Sequence, residues 1–296
     1  MRSIQQAFSV FSLLACLCSS AWADAFTFST GLPDGQIATG SRPSGTGSFE
    51  TESADDFILS SPASINHAAF YGLLPFGVHL SDINQVRVEI YRVFPKDSAT
   101  PPDGRVPTRD NSPSDVAFAE RDSALTELTF TPSIVAASFT ASNSVLNGIN
   151  PKPNQNTGGE GSVSGTEVLV DVALSSPFDL PADHYFFVPQ VGLDSGNFLW
   201  LSGPRPTVPP FAPDLQSWIR NENLAPDWLR VGADIVGDKT FNAAFSVSGS
   251  TTPEPATVSL IGGALLAGGL LRRVRRTCKR SEAVPGSTSR SQVIEP

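Results

Sequence analysis

Between residues 24 and 250 apolar and polar side chains follow a period of two rather than 3.6, the mark of strands with one buried face. "VRVEIYRVF" (Val86–Phe94) alternates at its start and is rich in β-branched and aromatic residues. "EVLVDVAL" (Glu167–Leu174) sets Val168, Val170, Val172 and Leu174 on one face, and "FNAAFSVSG" (Phe241–Gly249) does the same with Phe241, Ala243, Phe245 and Val247. "HYFFVPQV" (His184–Val191) is continuously apolar, as a central strand would be, with Pro189 predicting a bulge or a strand end. "DDFIL" (Asp55–Leu59), "INHAAFYGLL" (Ile65–Leu74) and "NFLWL" (Asn197–Leu201) complete the set.

Pro/Gly/Ser-rich stretches separate these runs, the longest being Pro95–Asp115, Asn150–Thr166 and Gly203–Asp214. Many short strands on long loops predict an all-β fold, a two-sheet, jelly-roll-like β-sandwich. Helical periodicity is not sustained before residue 256; "DLQSWIRN" (Asp214–Asn221) is the one stretch expected to form a helical turn.

The two ends have a different character. Residues 1–23 carry Arg2, an apolar core from Ala7 to Cys18, and Ala21-Trp22-Ala23. That is the order of a signal peptide, with small residues at the cleavage site and Asp24 as the mature start. Near the other end stands Pro253-Glu254-Pro255, then fifteen uncharged residues (Thr257–Leu271), then Arg272, Arg273, Arg275 and Arg276. As a helix at ~1.5 Å per residue the uncharged run reaches roughly 22 Å, short of a ~30 Å hydrocarbon core. Snorkelling arginine stems extend it and hold the end on the cytoplasmic side. The expected division is a signal peptide (1–23), a β-sandwich ectodomain (24–250), a sorting segment (251–276) with a transmembrane helix at 257–271, and a disordered polar tail (277–296).

Pro-Glu-Pro, short helix and arginines, in that order behind a signal peptide, resemble the PEP-CTERM sorting signal of exported bacterial proteins. The resemblance covers about 24 of the 296 residues. It implies recognition by an exosortase-type membrane protease, transient anchoring in the inner membrane, and a mature protein at the cell surface or in the extracellular matrix of a diderm bacterium that makes exopolysaccharide. Such signals usually stop just after the basic residues, whereas this chain continues through Thr277–Pro296.

Charge and cysteine narrow the remaining choices. Residues 24–252 hold 12 Lys and Arg against 26 Asp and Glu, which disfavours nucleic acid as a partner. All three cysteines, Cys16, Cys18 and Cys278, lie outside that span. The ectodomain therefore relies on its core rather than disulfides, and has no thiol nucleophile or cysteine zinc site.

No nucleophile elbow, His-Glu-x-x-His or phosphate-cradling glycine loop occurs. His67, His79 and His184 sit in or beside strands and read as packed. Asp55 and Asp56 are adjacent carboxylates that alternation sends to opposite faces; either could join a calcium shell with loop carbonyls, and no other cofactor is implied. "LDSGN" (Leu193–Asn197) has the same oxygen-rich look. Of the late tryptophans, Trp200 reads as core, and Trp218 and Trp228 as candidates to stack on a sugar ring. The expectation is a non-enzymatic surface or matrix sandwich associating with polysaccharide. A carbohydrate-active enzyme using a carboxylate pair is one alternative, and a purely structural surface protein the other. N-terminal sequencing of the exported protein is expected to begin at Asp24; an intact Met1 would refute the export reading.

Overall fold

In a computed structural model the described residues are 23–45, 48–98, 104–106, 108–150, 156–207, 216–237 and 239–252. The expected signal peptide, apart from Ala23, and everything from Pro253 onward lie outside them, including the expected sorting residues and the expected transmembrane helix. Among the described residues no helix is long and apolar enough to cross a membrane. Ala23–Thr252 forms one compact unit with its own hydrophobic core, as an independently folding domain requires.

The strands are β1 (Ala25–Ser29), β2 (Ile37–Gly40), β3 (Thr51–Ile58), β4 (Ala63–Leu74), β5 (Ile83–Arg92), β6 (Ala119–Asp122), β7 (Leu128–Ala141) and β8 (Asn143–Val145). They continue with β9 (Val163–Leu180), β10 (His184–Leu193), β11 (Leu199–Gly203), β12 (Trp218–Asn221), β13 (Leu229–Arg230), β14 (Asn242–Ala243) and β15 (Phe245–Thr251). They build two sheets. The first runs β1-β15-β4-β11-β2-β8, with β14 on β11, and β9 then β7 on the other flank of β4. The second runs β13-β12-β3-β10-β5-β6. Pairing is antiparallel except for β2 with β8.

The expected alternation sets the main core. Val168, Val170, Val172 and Leu174 of β9 point inward with Phe70 of β4 and Phe245 of β15; from the second sheet come Phe57, Val86, Val88, Ile90, Tyr185 and Phe187. Phe187 is the hub. Its ring stacks on Phe245 at 5.0 Å and 6°, and meets Phe70 at 6.2 Å and Trp200 at 6.0 Å. Three of these rings belong to the first sheet and Phe187 to the second, so the rings clamp the sheets face to face. Within the first sheet Gly72 makes room for the Phe198 ring beside β11: a Cβ there would sit 2.0 Å from that ring. Trp200 is buried and donates its indole N–H to the Ala244 carbonyl at 3.2 Å.

Two local expectations need correction. Pro189 does not end β10, which continues to Leu193. The β3 ladder stops at Phe187, while β5 pairs along the whole length. Pro189 thus stands beyond the β3 ladder, where its missing N–H costs no pairing, and its carbonyl accepts the Ser41 hydroxyl instead. The irregularity falls at Gly192/Leu193. Nor do the described residues of the expected helical turn at Asp214–Asn221 form one: Trp218–Asn221 is β12, paired with β3 and β13. Ladder bonds and burial of Trp218 and Ile219 outweigh any local helical preference.

Candidate functional site

The second sheet buries both of its faces. Along β3, Phe57 points to the main core, while Ala54 joins a separate cluster with Tyr91, Phe186, Val188, Trp218 and Trp228. The long Pro-rich connection between β5 and β6 covers this outer face. Val93 and Ala117 pack on it, and the Ser114 carbonyl accepts the Trp228 indole N–H at 3.2 Å. Trp218 and Trp228 are each 0 % exposed. They are therefore corrected from sugar-stacking candidates to core residues: with both ring faces covered, neither can reach a ligand in solution.

Beneath that connection lies a buried ionic network. Arg220 of β12 holds both carboxylate oxygens of Glu52, donates to the Tyr91 hydroxyl at 2.8 Å, and lies 4.3 Å from the Trp228 ring centre. Its other donors reach the Asp115 and Pro226 carbonyls at 3.2 and 3.3 Å. Burial opposes its charge, but Glu52 and Tyr91 outweigh that and hold the guanidinium firmly protonated. Burial, reinforced by the negative charge of Glu52, pushes Glu89 up to about 9. At neutral pH Glu89 is thus the acid form and donates to Glu52. Glu50, at the solvent side, accepts from Arg87 at 3.2 Å and Gln190 at 3.1 Å.

Glu52 and Glu89 are two acids on one sheet face, and the pair does not suit glycoside hydrolysis. That chemistry needs carboxyls about 5–9.5 Å apart with a substrate between them. Glu52 and Glu89 share a hydrogen bond, and both Glu52 oxygens are committed to Arg220.

Asp55 and Asp56 do point to opposite sides, and both are buried. Asp55 faces the first sheet, where it accepts from the Ala243 N–H and from Asn242; burial, then its neighbour Asp56, pushes its carboxyl well up. Asp56 meets His184 Nε2 at 2.6 Å. Both aspartates lie in the sheet interior rather than on an exposed loop, Asp55 held by Ala243 and Asn242 and Asp56 by His184 through one carboxylate oxygen. His67 pairs with Asp171 at 3.0 Å, and His79 opens the 3-10 turn Leu80–Asp82. No group of three His, Cys, Asp or Glu is arranged to hold a metal among the described residues.

An open polar site lies elsewhere. At the far end of the second sheet, where β10 leaves β5, a polar cleft of about 380 Å³ is lined by Arg42, Ser44, Ser48, Asn84, Asp194 and neighbouring backbone. The bulge at Gly192 shapes one wall; a Cβ there would come within 2.6 Å of the Asn84 amide oxygen. Gly196 shapes another, with φ +80, a conformation that suits glycine. Asn84 donates to Asp194 at 2.8 Å, so amide and carboxylate present themselves together. Phe49, next to Ser48 in the chain, is 57 % exposed. The sequence marked one wall of this cleft through Leu193–Asn197. The turn bearing Arg42 carried no motif, since nothing local shows that the two segments meet.

Replacing Glu89 by glutamine probes the network. A folded-state pKa of about 9, against 4.5 for an ordinary glutamate, means that the native state keeps a proton the unfolded chain loses. Stability then falls as pH rises from about 4.5 to 9, by up to ~1.4 kcal/mol per pH unit for one proton. Urea unfolding of Glu89→Gln is expected to show a flatter pH dependence over that window and higher stability than wild type at pH 8. Parallel curves would contradict a protonated Glu89. No protein-family model, curated protein or solved structure matches the chain.

Proposed function

We propose that this chain is an exported, jelly-roll-like β-sandwich of the cell surface or extracellular matrix that associates with polysaccharide without processing it. The observation that carries the reading is the polar cleft. Asn84, Asp194, Ser44 and Ser48 line it with donors and acceptors of the kind sugar hydroxyls need, and its volume of about 380 Å³ is in the usual range for small-ligand sites. The signal-like start and the Pro-Glu-Pro segment supply the route: export, transient anchoring, and exosortase-type sorting. Two features of the domain suit that route. It holds together without cysteine. Its first and last strands also pair, with the Thr251 N–H donating to the Asp24 carbonyl at 2.7 Å, so both ends of the chain leave from one place.

Purified residues 24–252 mixed with immobilised polysaccharides, including the producer's own matrix, test this. Retention on at least one polysaccharide, lost in Asn84→Ala or Asp194→Ala and kept in Trp218→Phe, is the expected result. Sugar release in the same tubes would move the reading to a carbohydrate-active enzyme. No retention on any of them would leave a purely structural surface protein.

A further inference from the structure

Arg42 differs from the arginines that pair with acids and from Arg121, whose Nε, Nη1 and Nη2 all reach backbone carbonyls. Arg87, Arg92, Arg109, Arg220 and Arg230 each pair with a carboxylate within 4.0 Å. Arg42 belongs to no ion pair among the described residues. Its Nε donates to the Phe49 carbonyl at 3.0 Å, which fixes the plane of the guanidinium and leaves its two terminal nitrogens free of any carboxylate. The side chain is partly buried and lines the cleft. Burial alone draws its pKa down, with no neighbouring acid to raise it. In a domain with 26 acidic residues to 12 basic ones, an immobilised guanidinium without an acid partner is a vacancy for an anion supplied from outside. A planar fork of N–H groups fits a carboxylate or sulfate in bidentate fashion.

The geometry points to an acidic sugar as the occupant of this cleft: its anionic group on Arg42, its hydroxyls on Asn84 and Asp194. This rests on the polysaccharide reading and narrows it to a ligand class. It also sets the electrostatics. The domain's negative field repels a polyanion at long range, so any preference for acid must come from a short-range contact.

Titration calorimetry of residues 24–252 at ~0.15 M salt, where exposed charges are screened beyond about 8 Å, separates the cases. The probes are a trimer of galacturonate, its carboxyl-reduced neutral counterpart, and a sulfated trimer of the neutral sugar. At least one anionic trimer is expected to bind tenfold or more tighter than the neutral one, a ratio in keeping with a charge-assisted hydrogen-bond pair. The better anion tells whether a carboxylate or a sulfate ester is preferred. Arg42→Gln is expected to abolish that preference, lowering the anionic trimers to the affinity of the neutral one. Arg42→Lys, which keeps the charge without the fork, should fall between, and serves if the glutamine variant misfolds. Asn84→Ala should weaken all three trimers alike. Equal affinity for charged and neutral trimers, or a preference that survives Arg42→Gln, would overturn the acidic-sugar assignment and leave polysaccharide association standing. Failure to bind any trimer, together with no retention on any polysaccharide, would remove both.

Discussion

A guanidinium sealed from water is the constraint around which the second sheet is organised. Arg220 of β12 lies under the β5–β6 connection and beside the Trp228 ring, and a buried cation is tolerated only when paired and fully hydrogen-bonded. Glu52 supplies the charge, Tyr91 and two backbone carbonyls supply the remaining acceptors, and the Trp228 ring covers one face. The rest follows from that choice. A second ionised carboxylate cannot be accommodated beside Glu52, so Glu89 keeps its proton. The connection whose Asp115 carbonyl accepts from Arg220 must lie flat on the sheet, and in doing so it buries Trp218 and Trp228. The sheet acquires a second core on the face that a simple sandwich would turn to solvent.

The absence of cysteine from residues 24–252 places the remaining demand on packing. The Phe187 cluster answers it by joining strands far apart in the chain: β10 touches β4, β11 and β15 through four aromatic rings. With one core between the sheets and another outside the second sheet, the middle of that sheet has no free face for a ligand. The polar cleft opens instead at the sheet's end, at the β10 bulge and the Gly196 turn, and that is where the proposed recognition is placed.

Much of this fold was legible in the sequence, because period-two alternation reports directly on which face is buried. Val168 through Leu174, and Ala243 through Val247, lie where that rule puts them. Less legible was anything that depended on which segments meet. Pro189 signals a strand end only if both neighbours continue, and β3 does not. Trp218 and Trp228, beside Asn, Asp and Arg, have the composition of a sugar site; the same composition packs a buried ion pair once a distant Pro-rich loop closes over it. The cleft escaped for the same reason. Arg42 and Asp194 are more than a hundred residues apart; the oxygen-rich Leu193–Asn197 stands out by itself, but nothing local to Arg42 shows that the two segments meet.

The account's central claim is that ligand recognition belongs to the cleft at Arg42 and Asn84 and not to the tryptophan face. The most direct measurement is an amide and indole chemical-shift titration of the domain with an acidic oligosaccharide. Shifts at Gly192, Gly196 and the Asn84 side-chain amide, with the Trp218 and Trp228 indole signals unmoved, are the result expected. Indole shifts with a silent cleft would contradict the claim, and would require the β5–β6 connection to open over the Arg220 network.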